Sequence, residues 1–325
     1  MRAAWYERNG PAREVLELGT MPDPEPGPGE VRVRIAASGV NPSDWKTRSG
    51  SRPMPAPRVI PHSDGAGTID RVGNGVPETR IGERVWVWNA QWRRPFGTAA
   101  DYVVLPADQA VVLPENVSFR EGACLGIPAL TAHRAVTIDG GVEGQAVLVS
   151  GGAGAVGHYA IQFARLLGAA KIITTVSSPE KAEHAREAGA DLVINYRTEP
   201  VVERVREATG GRGVERVIEV DAAGNARLLP NLLAPEGLCV VYGSNAPEVT
   251  FEFGPMIMSG AAVRFFIVYE LPPEARRSGI IDLTRWMQAG SIRHAIAAEF
   301  PLDDIAAAHE AVERAGLIGN VIVAP

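Results

Sequence analysis

With 325 residues, 46% of them hydrophobic, the chain is long enough to bury the cores of about two domains and needs no disulfide staple. Lys and Arg number 32 against 38 Asp and Glu, a net charge of −6, so no basic stripe is offered to nucleic acid and a small or apolar partner is expected. The two cysteines, Cys124 and Cys239, form neither a disulfide framework nor a CxxC pair. The N-terminus, MRAAWYERNG, lacks a signal-peptide apolar region, and no stretch approaches the roughly 18 to 20 apolar residues of a membrane helix. The expectation is a cytoplasmic protein without membrane or nucleic-acid partners.

The first hundred residues read as short strands separated by turns. MPDPEPGPGE (21 to 30) carries four prolines and two glycines and is a loop. VRVRIAASG (31 to 39) alternates apolar and charged positions, which suits a strand with one buried and one wet face. ERVWVW (83 to 88) and DYVVL (101 to 105) add further strand-like runs, so this part is expected to be β-rich and partly antiparallel.

From about residue 122, continuous apolar runs alternate with helical patterns. AVLVS (146 to 150) reads as a buried strand, and HYAIQFARLLG (158 to 168) as a helix ended by glycine. KIITTVS, PEKAEHAREAGA, DLVINY, a helix ending near TGGRG, RVIEVDAAG and LCVVYGS continue the alternation. A βαβ series of this kind predicts a parallel sheet with helices on both faces. The last sixty or so residues hold helices around SGIIDLTRWMQAG and LDDIAAAHEAVERA and a terminal strand NVIVAP, and are expected to return to the first domain. The expected α/β architecture is therefore a β-rich domain of residues 1–121 completed by 268–325, and a doubly wound domain of residues 122–267.

The sharpest signal is AVLVSGGAGAVGHYAIQFAR (146 to 165), where Gly152, Gly154 and Gly157 satisfy G-x-G-x-x-G between a strand and a helix. The expected roles are a tight turn at Gly152, close approach of a pyrophosphate at Gly154 and close packing at Gly157. The phosphates would then meet the free N–H groups and positive helix end at Ala155 and Val156. An enzyme using NAD places an acid at the end of the next strand, for the ribose hydroxyls. Here that end reads TVSSPEK, with Ser177, Ser178 and Lys181, which attract a 2′-phosphate, so NADPH is the expected cofactor. The simpler role for Ser178 is to cap the next helix.

At this point the sequence resembles the zinc-independent quinone oxidoreductases, the zeta-crystallin-like branch of the medium-chain dehydrogenase/reductase superfamily. The resemblance spans nearly the whole chain through SGVNPSD (38 to 44), PHSDGAG (61 to 67), GTAADYVVLP (97 to 106), PALTAHRA (128 to 135), the glycine motif, AGADLVINYR (188 to 197) and IGNVIV (318 to 323). It implies a GroES-like substrate domain split by a Rossmann domain, and reduction of quinones or related conjugated enones by NADPH. Zinc-dependent relatives carry GVCHTD, a GHE motif and a later cysteine. Laid over these, Asn41, Ser63 and Ile127 stand at the three ligand positions, and the structural-zinc lobe is missing. No metal is therefore expected, and His62 with Asp64 would supply two ligands at most.

The resemblance also implies individual roles. Asn41 would contact the nicotinamide ribose or the substrate, or else be a turn residue before Pro42. Thr131 would face the nicotinamide or cap its helix, and Tyr196 would lie beside the 2′-phosphate. Gly243 and Ser244 sit at a strand's carboxyl end. Phe265, Phe266 and Ile267 would hold the carboxamide, or serve as core or dimer interface. Asn320, at a position counted among the cofactor contacts, replaces a lysine often found in the closing motif. His62 would line the rim of the hydride-transfer cleft in a slot usually left to glycine. Trp45, Trp86, Trp88 and Trp92 would form a flat slot for a quinone ring, or core. His133, His158, His184, His294 and His309 share no spacing, and surface or helix positions explain them. A homodimer through edge strands around residues 250 to 270 is expected. The alternatives are an enoyl- or acryloyl-type C=C reductase on the same scaffold, or a low-turnover crystallin-like or RNA-binding NADPH protein.

Overall fold

The computed structural model describes residues 1–325, which divide into two units, Met1–Pro128 with Ile280–Pro325, and Ala129–Gly279. In the first unit the strand Glu30–Val40 pairs antiparallel with Asp64–Val72, Tyr102–Pro106 and Asn320–Ala324. Asn320–Ala324 in turn carries a parallel partner, Ile296–Pro301. Asp64–Val72 pairs with Arg84–Val87, and that strand with Ala110–Val112, completing a seven-stranded sheet. The alternation in VRVRIAASG is visible in the result: Val31, Val33 and Ile35 pack with Ile69, Val85, Val103 and Leu105 in one apolar cluster. Burying each such side chain contributes about 1.5 to 3 kcal/mol. The other face is not uniformly wet. Arg32 is 3% exposed, bonded fork-like to Asp70 at 2.9 and 2.7 Å and stacked 4.6 Å from the Tyr102 ring, so its charge is buried with partners.

The helix Pro42–Ser49 starts where local chemistry dictates. Asn41 is extended at the N-cap, Pro42 fixes the first helical φ, and the Asp44 carboxyl accepts the Asn41 N–H at 2.7 Å. Gly50, left-handed at φ 104°, ends it. Arg48 on this helix is buried and ion-paired with Glu313 at 2.9 Å, which fastens it to the helix Ile305–Glu313.

That second helix carries His309 into a buried chain of polar groups. Thr98 Oγ1 donates to the Asp64 carbonyl at 2.5 Å and lies 2.7 Å from Ser38 Oγ, which lies 2.8 Å from His62 Nδ1. His62 Nε2 stands 3.0 Å from His309 Nε2. A hydroxyl has one proton to give. The Thr98 proton goes to the carbonyl, so the Ser38 proton goes to Thr98, and Ser38 must accept from His62 Nδ1–H. His62 Nε2 is then the acceptor for His309 Nε2–H, and both tautomers are fixed. This corrects two sequence expectations: His62 is fully buried rather than on a rim, and His309 is its partner. His62 adopts φ 76°, the left-handed region that glycine enters without the steric cost a side chain brings.

The second unit is a six-stranded parallel sheet in the order Leu192–Asn195, Lys171–Val176, Ala146–Val149, Val214–Glu219, Leu233–Val241, Ala262–Phe265. Numbered along the chain this is 3-2-1-4-5-6, the doubly wound order, which reverses direction between Ala146–Val149 and Val214–Glu219. Leu148, Ile173, Ile194, Val217 and Cys239 fill its core, so Cys239 is used as an apolar side chain. Arg216, 2% exposed, donates to the carbonyls of Ala135, Ile138 and Asp139 at 3.3, 2.7 and 3.3 Å. It thereby satisfies the open end of the helix Leu130–Thr137. No helix is long and apolar enough to cross a membrane.

Burial pushes the His62 imidazole down to about 3 and, with His62 and Arg48 nearby, holds His309 well below the usual range. Below about pH 6.5 the unfolded chain takes up protons that the folded chain refuses, so stability is full above that pH and is lost as pH falls below it. At pH 5.5, nitrogen-15 imidazole spectra should show both rings neutral, His62 protonated on Nδ1 and His309 on Nε2. An imidazolium pattern on either ring at that pH contradicts the assigned chain.

Candidate functional site

At the point where the parallel sheet reverses its order, the strand Ala146–Val149 runs through Ser150–Gly154 into the helix Ala155–Leu166. Each glycine has a distinct job there. Gly151, at φ 69°, makes the turn, a role expected of Gly152. A Cβ on Gly152 would instead lie 2.1 Å from Thr174 Oγ1, and one on Gly157 would lie 2.3 Å from the Gly151 carbonyl oxygen. These two glycines press turn, helix and neighbouring strand together. At Gly154 such a Cβ would meet only the Gly151 carbonyl oxygen, at 3.4 Å, so no other protein atom crowds that side. The first N–H groups of the helix, around Ala155 and Val156, have no acceptor within the helix and meet that space. The turn fits a pyrophosphate.

At the end of the strand Lys171–Val176, Lys181 Nζ donates to Ser177 Oγ at 3.1 Å, holding an ammonium beside the strand end. Ser178 has the simpler role, accepting from the Lys181 N–H at 3.3 Å as the cap of the helix Pro179–Glu187. The Tyr196 N–H bonds the Val176 carbonyl at 3.1 Å, and its side chain is 52% exposed. Ser177 and Lys181 thus stand at a strand end that the Tyr196 backbone adjoins, and the acid in this stretch, Glu180, is bonded to Ser178. Thr131 sits in the first turn of Leu130–Thr137, 4% exposed and not at the cap, which is Ala129. Gly243 follows Leu233–Val241, where a Cβ would lie 2.4 Å from the Val220 carbonyl oxygen, and Ser244 Oγ bonds the Ala246 carbonyl at 2.8 Å. Phe265, Phe266 and Ile267 help line a cavity of about 400 Å³ that also holds Arg134, Asp139 and Arg264.

Sequence patterning did not single out Glu219. Its carboxyl, 1% exposed, accepts from the Asp221 N–H at 2.6 Å and from Asn225 Nδ2 at 3.0 Å, while Asn225 also reaches Ser150 Oγ at 3.3 Å. Burial holds it above the usual carboxylate range. The signal was present as the acid in VIEVDAAGN at the carboxyl end of a strand next to the reversal point.

In the first unit, two of the residues at the three ligand-aligned positions meet at a carboxyl. Asn41 Nδ2 and the Ile127 N–H both donate to Asp64 Oδ2, at 2.9 and 2.8 Å. Asp64 is 0% exposed, and its other oxygen, Oδ1, has no partner. A Cβ on Gly126 would lie 2.1 Å from Oδ1, so that position accepts only glycine. Burial pushes the Asp64 carboxyl up to about 7 and also raises the Cys124 thiol, which faces it. Ser63, third of the aligned residues, is buried, with its carbonyl accepting from Ala90. Nowhere do three or more His, Cys, Asp or Glu side chains converge as a metal would require.

The tryptophans separate. Trp86 is 0% and Trp88 9% exposed, so they are core rather than an open slot. Trp45 lies under Lys46 at 5.9 Å, and Trp92 has Arg52 and Arg93 each 5.5 Å from its ring. Asn320, expected among the cofactor contacts, has its amide bonded to the Ala295 carbonyl at 2.9 Å.

Comparison with known proteins places these features. Residues 27–115 match the alcohol dehydrogenase GroES-like domain, and residues 155–285 the zinc-binding dehydrogenase family. The human quinone oxidoreductase is 31% identical over 325 residues, covering 98% of this chain and 95% of the human protein. A 2-haloacrylate reductase of a Burkholderia species is 32% identical over 306 residues, covering 89% of each. The Escherichia coli quinone oxidoreductase, solved in complex with NADPH, superposes with a TM-score of 0.90 at 29% identity and covers 100% of both chains. The chain belongs to the quinone oxidoreductase family of the medium-chain dehydrogenase/reductase superfamily.

Proposed function

We propose that this protein is an NADPH-dependent reductase of quinones or related conjugated enones that transfers hydride without a zinc ion. The observation that carries the reading is the set of groups at the ligand-aligned positions. Asn41 turns an amide N–H to a buried carboxyl, and Ser63 and Ile127 offer neither thiolate nor imidazole, so the side chains that a zinc ion needs are not supplied at these positions. An isolated ketone or alcohol depends on a Lewis acid to polarise it, whereas a quinone or enone delocalises the developing charge itself. Names and activities of the similar proteins support the same acceptor class.

When bound, NADPH supplies the hydride. The chain's own residues bind and orient. Gly154 leaves room for the pyrophosphate, and the start of Ala155–Leu166 contributes N–H groups and the positive end of the helix dipole. Ser177, Lys181 and Tyr196 receive the 2′-phosphate, with the ammonium providing the charge that a carboxylate would have opposed. Thr131, in the first turn of Leu130–Thr137, belongs to the unit that holds the dinucleotide, and protonation of the product is left to water.

A second reading, reduction of an activated C=C bond in a 2-haloacrylate or enoyl substrate, is favoured by the Burkholderia relative. Both readings use the same hydride and the same lack of a metal. They differ only in the acceptor.

The protein is also proposed to act as a homodimer. The strand Ala262–Phe265 ends the parallel sheet with an open edge, and Phe253, Ile257, Met258 and Phe265 beside it are 78, 61, 87 and 57% exposed. An edge of this kind, flanked by apolar side chains, is matched by an identical edge on a second copy.

Three outcomes test these statements. Replacing Lys181 with Ala should weaken NADPH about 10- to 100-fold and leave NADH nearly unchanged, by fluorescence titration, since one charge-assisted contact is lost. NADPH oxidation with menadione and phenanthrenequinone should exceed that with 2-chloroacrylate or crotonyl-CoA and survive EDTA unchanged. The reverse ranking selects the second reading, and EDTA sensitivity ends the metal-free claim. Light scattering should give a dimer for the native chain and a monomer for Val263→Pro, because proline removes an edge hydrogen bond. A native monomer rejects the dimer.

A further inference from the structure

We propose that Glu219 is a positioning residue for the dinucleotide, whose buried carboxyl holds the phosphate turn in its binding shape through Ser150. The proposal rests on the reading of Ser150–Gly154 as the pyrophosphate site given above, and all of its residues lie in the second unit.

A turn built from glycine meets two opposed demands. Gly151, Gly152 and Gly154 let a phosphate approach backbone, but glycine has the most conformational freedom to lose on ordering. If that ordering happens only on binding it weakens the complex, whereas a turn fixed beforehand binds at full strength. The chain fixes this one from both sides. On the side of Lys171–Val176, Thr175 Oγ1 accepts the Gly151 N–H at 3.2 Å and the Thr175 carbonyl accepts the Gly152 N–H at 3.1 Å. On the side of Val214–Glu219, the Ile218 carbonyl accepts the Ser150 N–H at 2.9 Å, and the Ser150 hydroxyl bonds the Glu219 carboxyl. Asn225 Nδ2 donates to both members of that pair, to Glu219 Oε1 at 3.0 Å and to Ser150 Oγ at 3.3 Å. Ser150, 7% exposed, is the residue through which the strand Ala146–Val149 enters the turn.

Glu219 reaches beyond the turn as well. Its Oε1 also accepts the Asp221 N–H at 2.6 Å. Asp221 in turn accepts from the Asn245 N–H at 3.0 Å and from Asn245 Nδ2 at 2.9 Å, directly after Gly243 and Ser244. One carboxyl thus joins the ends of three neighbouring strands, Ala146–Val149, Val214–Glu219 and Leu233–Val241. These are the carboxyl ends of the strands, where an open α/β sheet receives its ligand. A carboxyl out of water is stabilised by donors that are already in place, so Glu219 and the loops around it order one another before the dinucleotide arrives. Glu219 itself is 1% exposed and acts through Ser150 rather than by touching the cofactor.

The test measures NADPH and NADH dissociation constants by fluorescence titration, and hydrogen exchange of the turn amides in the unliganded protein. Glu219→Ala should weaken both dinucleotides at least about tenfold, since both carry the pyrophosphate, and should speed exchange in the turn by a similar factor. In Glu219→Gln the amide oxygen still accepts from Asp221 and Asn225 and the amide nitrogen donates to Ser150 Oγ, so both constants should return to within about threefold of native. Ser150→Ala should weaken binding about threefold or more, and combined with Glu219→Ala it should add nothing further, because the carboxyl acts through that hydroxyl. Native constants in Glu219→Ala, even with a lowered melting temperature, overturn the proposal. So do a lack of recovery in Glu219→Gln and additive effects in the double variant. If Glu219→Ala does not fold, Ser150→Ala decides, and native affinity with native exchange there overturns the proposal. Gly154→Val tests the underlying reading separately, because it fills the approach to the turn without crowding the protein. Native NADPH affinity in Gly154→Val removes the pyrophosphate site itself, whereas lost affinity there with native affinity in Glu219→Ala removes the positioning role alone.

Discussion

A carboxyl group taken out of water must be given hydrogen bonds in place of its hydration, and the first unit is arranged to supply them at Asp64. Three parts of the chain, distant in sequence, meet there: the end of Glu30–Val40 with Asn41, the start of Asp64–Val72, and the segment around Ile127. Asp64 Oδ2 is the acceptor for both donors, and the Asp64 carbonyl is the last acceptor of the chain running from His309 through His62, Ser38 and Thr98. One residue therefore terminates two buried networks, one through its side chain and one through its backbone. The local sequence follows from this. Gly126 must lack a Cβ, and His62 must accept a left-handed backbone to place its ring between Ser38 and His309.

The second unit meets a different constraint, the approach of a large anion to backbone. Its solution is steric and needs few side chains. Gly151 supplies the left-handed turn, Gly152 and Gly157 remove the atoms that would separate turn, helix and strand, and Gly154 leaves the approach clear. Charge is then added locally by Lys181 against a net acidic chain. The buried Glu219 ties Asn225 and Asp221 across the strand ends behind this turn, so the loops that flank it share one acceptor.

What the sequence disclosed and what it concealed follow the same division. Period-two alternation marked Glu30–Val40, continuous apolar runs marked the parallel strands, and the glycine motif marked the phosphate turn, because each is a local consequence of which faces are buried. Arg32 broke the alternation since its partner, Asp70, lies on a neighbouring strand that pairing brings close. His309 looked like a helix surface residue because nothing near it in sequence reveals His62, 247 positions away. The same is true of Asp64. In PHSDGAG the histidine draws attention as a ligand or proton carrier, but the chemistry of the stretch lies in the next acid, whose donors are 23 and 63 residues distant. Buried polar networks are non-local, and a periodicity reading has no access to them. Trp86 and Trp88 illustrate the converse. Their aromaticity suggested a ligand slot, and the volume requirement of the core took them instead.

Where no zinc ion takes part, as proposed, the electrostatics of this region are set by the buried carboxyl of Asp64. A zinc ion draws electron density toward itself and stabilises an oxygen that is becoming negative. A carboxylate whose ionisation is held near neutrality by burial does neither, and at high pH it opposes such charge. On the proposed reading this limits which acceptors can be used. Those that must localise negative charge on one oxygen gain nothing from Asp64, while those that spread it over a ring or a conjugated system are less affected. Asn41, whose amide nitrogen is turned to Asp64, adds no positive charge that would offset it. The hydrogen bonds that make the carboxyl tolerable in the interior thus also fix the groups around it, and with them which charge this region can accept.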